Sequence, residues 1–160
     1  MKVMLVNGSP NREGCTCVAL RQIQKTLKEE NIGSDIYRIG HKDIRGCIDC
    51  RKCSELGKCV FDDEVNSFVE KADEYDGYIF GGPVYYGTIN PTLTNFMTRA
   101  FFSSFFWRKK DIQIKTCSCS CKRQKSRNND SNRYNQQVFH LGRNAHNQLN
   151  ILERDIWHKC

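Results

Sequence analysis

Three groups of residues in this 160-residue chain have the types and spacing that chemistry requires. Cys47, Cys50, Cys53 and Cys59 read C-x2-C-x2-C-x5-C. Thiols at intervals of three can gather on one face, and the fourth returns after a turn at Gly57. Two consecutive x2 gaps suit an iron–sulfur cubane better than zinc, whose sites use two separated C-x2-C knuckles. Zinc and metal-free thiols stay open as readings, because free cysteine also buries as a small hydrophobe beside apolar neighbours such as Ile48 and Val60. The second group lies between Gly8 and Thr16. Gly8 and Gly14 let backbone amides approach closely around Pro10, Ser9 and Thr16 offer hydroxyls, Arg12 offers charge, and Cys15 opens a helical pattern. An oxyanion the size of a phosphate suits such a loop; an ordinary strand-to-helix turn is the plainer reading. The third group is Gly82-Pro83-Val84-Tyr85-Tyr86-Gly87. It can form a platform for a flat ring, whose edge backbone N–H groups would hydrogen-bond, or its tyrosines can simply cover a strand end.

The elements that must position these groups follow from periodicity. Val3-Met4-Leu5-Val6 is an apolar strand, and Ala19, Leu20, Ile23 and Leu27 recur at helical spacing behind the first loop. Ser34 to Ile39 alternates as a short strand does. Asp62 or Asp63 can cap a helix whose face is Val65, Phe68, Val69 and Ala72. Gly77 to Gly81 predicts a buried strand, and Pro91 predicts the start of a helix with Leu93, Phe96, Met97 and Ala100 on its apolar stripe. The alternation β-α-β-α-β-α calls for an α/β fold with a doubly wound parallel sheet covered on both faces. Ligands in such sheets sit at the carboxyl ends of the strands, where the strand order switches. Both loops follow strands, so one site can use both.

Composition divides the chain. Residues 1–100 carry 13 Lys and Arg against 14 Asp and Glu, whereas residues 101–160 carry 12 against 4. All three prolines and ten of the eleven glycines precede residue 100. We therefore read 1–102 as one folded region and 103–160 as a basic tail without domain character. Lys122 to Arg127 lacks aromatic interleaving and a binding fold, which argues against a nucleic-acid partner. Cys117, Cys119 and Cys121 have no fixed fourth ligand. A sharper account is a shifted reading frame. Moved forward by one nucleotide from near Ser103 to Phe106, the codons permitted by residues 107–160 allow an unbroken reading. It contains a strand KPAAVVA, a loop SARRAGTT, a helix and a strand MPIISS. Cys/Ser alternation arises when Ala and Val codons are read out of phase. No apolar run is long enough to cross a bilayer, and the apolar run at the N-terminus is too short for a signal peptide. The expected location is the cytoplasm, with no membrane partner.

Gly8-Ser9-Pro10 through Thr16, the Cys47–Cys59 group followed by Asp62-Asp63, and Gly82-Pro83-Val84-Tyr85-Tyr86 together resemble the NADPH-dependent FMN reductase family of the flavodoxin superfamily. They resemble its iron–sulfur flavoprotein branch in particular. The resemblance covers residues 1–102. It implies a five-stranded flavodoxin-like domain, here incomplete at its C-terminal strands, that assembles as a homodimer or homotetramer. It implies that Gly8, Ser9, Pro10, Arg12, Cys15 and Thr16 hold the FMN phosphate, and that Pro83, Val84, Tyr85, Tyr86 and Gly87 line the isoalloxazine. Cys47, Cys50, Cys53 and Cys59 would ligate a [4Fe-4S] cluster. The implied activity is flavin-dependent oxidoreduction, with NAD(P)H and a small-molecule or protein donor or acceptor and no side-chain acid or nucleophile. Two departures bear on this: Cys15 stands where relatives often have Asn, and the third flavin loop, of the S-A-R-R-A-G-T type, exists only in the shifted frame. The expectation is therefore an impaired copy. The alternatives are an FMN-binding electron carrier without turnover of its own, or a zinc-binding regulatory module built on Cys47–Cys59.

Overall fold

Strand β1 (Lys2–Asn7) is apolar on both faces because both faces are covered. The computed structural model describes residues 1–106, 112–113, 118–122 and 136–144. Behind β1 come helix α1 (Cys15–Glu29), strand β2 (Gly33–Arg38), the short helix α2 (Cys53–Leu56) and helix α3 (Glu64–Ala72). Then follow strand β3 (Gly77–Tyr85), strand β4 (Thr88–Ile89) and helix α4 (Pro91–Phe106). Strand β1 pairs in parallel with β2 on one side and β3 on the other. Val3, Leu5 and Ile79 face Leu20 and Leu27 of α1, with Ala19 and Ile23 partly buried beside them. The alternate residues Met4, Val6, Tyr78 and Phe80 face the other layer, built from Val65, Phe68, Val69 and Ala72 of α3 and Leu93, Phe96 and Ala100 of α4. The period-2 alternation of two strands thus sorts two cores to opposite faces of one sheet. The expected α/β doubly wound, flavodoxin-like arrangement is the observed one.

The helix ends follow local chemistry. Asp63 is the N-cap of α3 and accepts from the Val65 N–H at 3.1 Å, which selects between the two candidate caps. Phe68 lies at the centre of the larger core, with ring contacts to Tyr37, Tyr78, Phe80 and Phe96.

Three features differ from expectation. Residues 82–85 extend β3 as strand, and the loop narrows to a two-residue hairpin turn at Tyr86 and Gly87, since Tyr85 pairs with Thr88. Both turn residues have positive φ, 54° and 86°, as a type I′ turn requires. Helix α4 continues through Phe106 with Ser103 and Ser104 buried, so order does not stop at residue 102. Finally, three strands occur where composition shows none: β5 (Ile112–Gln113), β6 (Ser118–Lys122) and β7 (Gln136–Asn144). Strand β7 runs antiparallel along β3 from Gly77↔Arg143 to Pro83↔Gln137, and β5 and β6 pair with β7. Pairing there satisfies the open backbone edge of β3, a demand set by the partner strand and not by local composition. The rest of the tail, including Cys117 and residues 123–127, lies outside the described residues.

Candidate functional site

The loop after β1 and the end of β3 meet at the carboxyl ends of adjacent strands. Gly8 N–H donates to the Gly81 carbonyl at 2.8 Å, and Asn90 Nδ2 donates to the Gly8 carbonyl at 3.0 Å. Asn90 N–H bonds the Pro83 carbonyl at 2.9 Å, while the Asn90 carbonyl receives the first N–H groups of α4. One buried asparagine therefore ties together loop, strand and helix. Sequence reasoning missed it, although an Asn immediately before Pro91 is a recognisable helix entry. Close approach is essential here. A Cβ on Gly8 would stand 2.7 Å from Leu93 Cβ, and one on Gly82 would stand 2.7 Å from both Asn90 Oδ1 and Leu93 Cδ2.

Within the loop, Gly8, Ser9 and Thr16 are buried, Pro10 is half-buried, and Arg12 and Cys15 are exposed. The bend is held by Ser9 N–H on Asn7 Oδ1 at 2.9 Å and by Asn11 N–H on Ser9 Oγ at 3.2 Å. Because Ser9 Oγ accepts there, its own hydrogen is free for a ligand. Gly14 is the N-cap of α1, no side chain caps that end, and its first turn carries no acid. The positive end of a 15-residue helix thus faces the loop with no acidic residue in its first turn. Arg38, at the end of β2, donates from one terminal nitrogen to the Pro10 carbonyl at 2.9 Å, and its buried Nε has no partner among the described residues. An orphaned guanidinium N–H, two buried hydroxyls and an uncapped helix end fit a phosphate. Pro83 and Val84 are half-buried, and Tyr85, Tyr86 and Gly87 are exposed at the hairpin. Their rings and backbone fit the side of a flat ligand.

Cys47, Cys50, Cys53 and Cys59 line a cavity that opens to solvent. Cys47 and Cys50 are exposed, Cys53 is buried in α2, and Cys59 is between. Gly57 ends α2 in the left-handed region at φ 68°, which turns the chain back toward Cys59. Asn66 then clamps the Cys59 backbone, accepting its N–H and donating to its carbonyl, both at 3.0 Å. Burial pushes the Cys53 thiol up, and the neighbouring thiols Cys59, Cys50 and Cys47 push the same way. Among the described residues no three His, Cys, Asp or Glu side chains gather closely enough to hold a metal ion. A single zinc wants four sulfurs at about 2.3 Å from one point, whereas an iron–sulfur cubane takes each thiolate on a different iron. Four thiols lining one cavity are a donor set whose chemistry suits an iron–sulfur cluster. Arg99, which sequence reasoning placed nowhere, also lines this cavity.

The family profile for NADPH-dependent FMN reductase matches residues 1–124. Among curated relatives, an iron-sulfur flavoprotein of Methanocaldococcus jannaschii is 37% identical over 100 residues, which are 62% of this chain and 52% of that protein. One from Archaeoglobus fulgidus is 29% identical over 100 residues, 62% of this chain and 49% of the relative. One from Clostridioides difficile is 26% identical over 121 residues, 72% of this chain and 54% of the relative. The chain thus spans about half the length of the curated relatives it matches. No solved structure matches it. With a sheet of the expected kind, two strand-end loops at its switch point and a profile match over most of its length, the chain belongs to the NADPH-dependent FMN reductase family.

Proposed function

We propose that this chain is a flavin-dependent oxidoreductase or electron-transfer protein that binds FMN across the two strand-end loops. The observation that carries this reading is the uncapped start of α1 on a loop that Gly8 and Asn90 tie to the carboxyl end of β3. Ser9, Thr16, Arg12 and the backbone from Gly8 to Cys15 bind the phosphate, with Arg38 added to that set. Pro83 to Gly87 orient the isoalloxazine and exclude water from one side of it. FMN, when bound, takes two electrons from a donor such as a reduced nicotinamide and passes them on singly or as a pair. Cys47, Cys50, Cys53 and Cys59 hold an iron–sulfur cluster in this reading, supported by their common cavity and by the relatives being iron-sulfur flavoproteins. Assembly as a homodimer or homotetramer when the reading frame is intact, and a cytoplasmic location, belong to the same proposal. Among the described residues no helix is long and apolar enough to cross a membrane.

Anaerobically purified protein tests this directly. Flavin absorbance near one FMN per chain, with iron and sulfide, is the expected result; colourless protein carrying zinc would overturn it in favour of a regulatory zinc module. NADPH oxidation with and without an added acceptor separates an enzyme from a carrier. The shifted frame is part of the proposal and is tested on the coding DNA: codons that do not spell the KPAAVVA-SARRAGTT reading would sink it.

A further inference from the structure

Arg99 is the largest fully buried side chain among the described residues, at 1% exposure. It projects from α4 onto the cysteine segment, and every contact it makes there has a purpose. One terminal nitrogen donates to Asp63 Oδ2 at 2.6 Å and the other to Asp63 Oδ1 at 2.9 Å, a two-pronged guanidinium–carboxylate pair. Nε and one terminal nitrogen also donate to Cys59 Sγ, at 3.3 and 3.2 Å. The remaining bonds go to the carbonyls of Arg45 at 3.2 Å and Phe61 at 3.3 Å. The guanidinium lies over the Phe61 ring, 5.0 Å from its centre. Arg45 precedes Cys47 by two residues and Phe61 follows Cys59 by two, so one side chain grips the cysteine segment at both ends.

A guanidinium removed from water needs anionic partners to offset its lost hydration. Asp63 supplies one, and the two N–H groups aimed at Cys59 sulfur mark the second. The carboxylate and the two carbonyls take the four terminal N–H groups, and the fifth, on Nε, is directed at the Cys59 sulfur alone. Sulfur that accepts N–H bonds while ligating iron donates less charge to the metal, which favours the reduced form. We propose that Arg99 is a positioning residue for the metal group bound by the four cysteines: it fixes Cys59 as a ligand and raises the reduction potential of that group. This rests on the cluster reading above.

The test uses the full chain, purified anaerobically and reconstituted with iron and sulfide. Arg99→Lys keeps the charge but cannot donate two N–H groups to one sulfur while forking onto Asp63. The expected result is unchanged iron per chain with a midpoint potential lower by about tenfold in the reduction equilibrium, 59 mV for one electron. Iron binding with a potential shifted by less than twofold in that equilibrium overturns the role of Arg99 and leaves the cluster reading standing. Wild-type chain that takes up no iron overturns both. Should Arg99→Lys fail to fold, wild-type protein and the Arg45→Lys and Arg51→Lys variants, each grown with arginine labelled with 15N only in the guanidinium, decide the matter. Pulsed EPR of each reduced protein should then show a guanidinium nitrogen coupled to the metal group, and its absence counts against the proposal.

Discussion

Glu64 shows how a single side chain carries a pH dependence. It opens α3, pairs with Lys42 and accepts the Tyr37 hydroxyl. Burial pushes its carboxyl up, but hydrogen bonds from Lys42 and Tyr37 outweigh burial and hold it below the ordinary 4.5. The native state therefore binds this proton less readily than the unfolded chain. The resulting stability is complete above the unfolded value and is lost as pH falls through the lower native one. Glu64→Gln is expected to cost about 1 kcal/mol at neutral pH and to converge with wild type in acid. Urea midpoints measured from about pH 6 down to 3 would check this; parallel curves would refute it. Asp35, lowered first by its hydrogen bond with Lys2 and then by Tyr75, loses its contribution over a similar acid range, so the Glu64 effect is read as a difference between variant and wild type.

At the scale of elements, β1, β3 and α4 meet in a joint with no spare room at its two glycines. Leu93 packs against both Gly8 and Gly82, and neither glycine has room for a methyl group. Gly8→Ala and Gly82→Ala should each destabilise by about 1–3 kcal/mol through overpacking. Because α4 must then move off the loop, FMN affinity should fall in both, read by quenching of flavin fluorescence; an alanine variant with wild-type affinity and melting temperature would count against this joint. Much of the arrangement was legible beforehand. Periodicity located β1, α1, α3 and α4, and the apolar faces Val65-Phe68-Val69-Ala72 and Leu93-Phe96-Ala100 are buried as their spacing predicts. What escaped was long-range. Asn90, Arg38, Asn66 and Arg99 act through partners between 7 and 82 residues distant, and no local pattern announces such a partner. The length of β3 escaped for a related reason: Gly82-Pro83 reads locally as a loop, yet Gly82 is held extended by β7 and by the close approach of α4.

For the whole molecule, the central question is what borders β3. In a doubly wound parallel sheet the next strand would run alongside β3 in the same sense. Here β7 takes that edge in the opposite sense. If the shifted frame is the ancestral one, restoring it should raise the melting temperature and increase FMN occupancy relative to the written chain. Equal melting temperatures and equal flavin content for the two proteins would argue that the written C-terminal third is a sufficient partner for β3.

The direction of β7 has a further consequence. A parallel neighbour would deliver its carboxyl end to the ligand, and behind it the amino end of another helix with unpaired N–H groups. An antiparallel neighbour delivers its beginning: Gln137 stands opposite Pro83 at the ligand end, while Arg143 lies opposite Gly77 at the far end. From this side the crevice receives a strand's entrance. Among the described residues the attraction for an anion comes from the start of α1 and from Arg38 at the end of β2, both on the side of β1 away from β7 or at β1 itself.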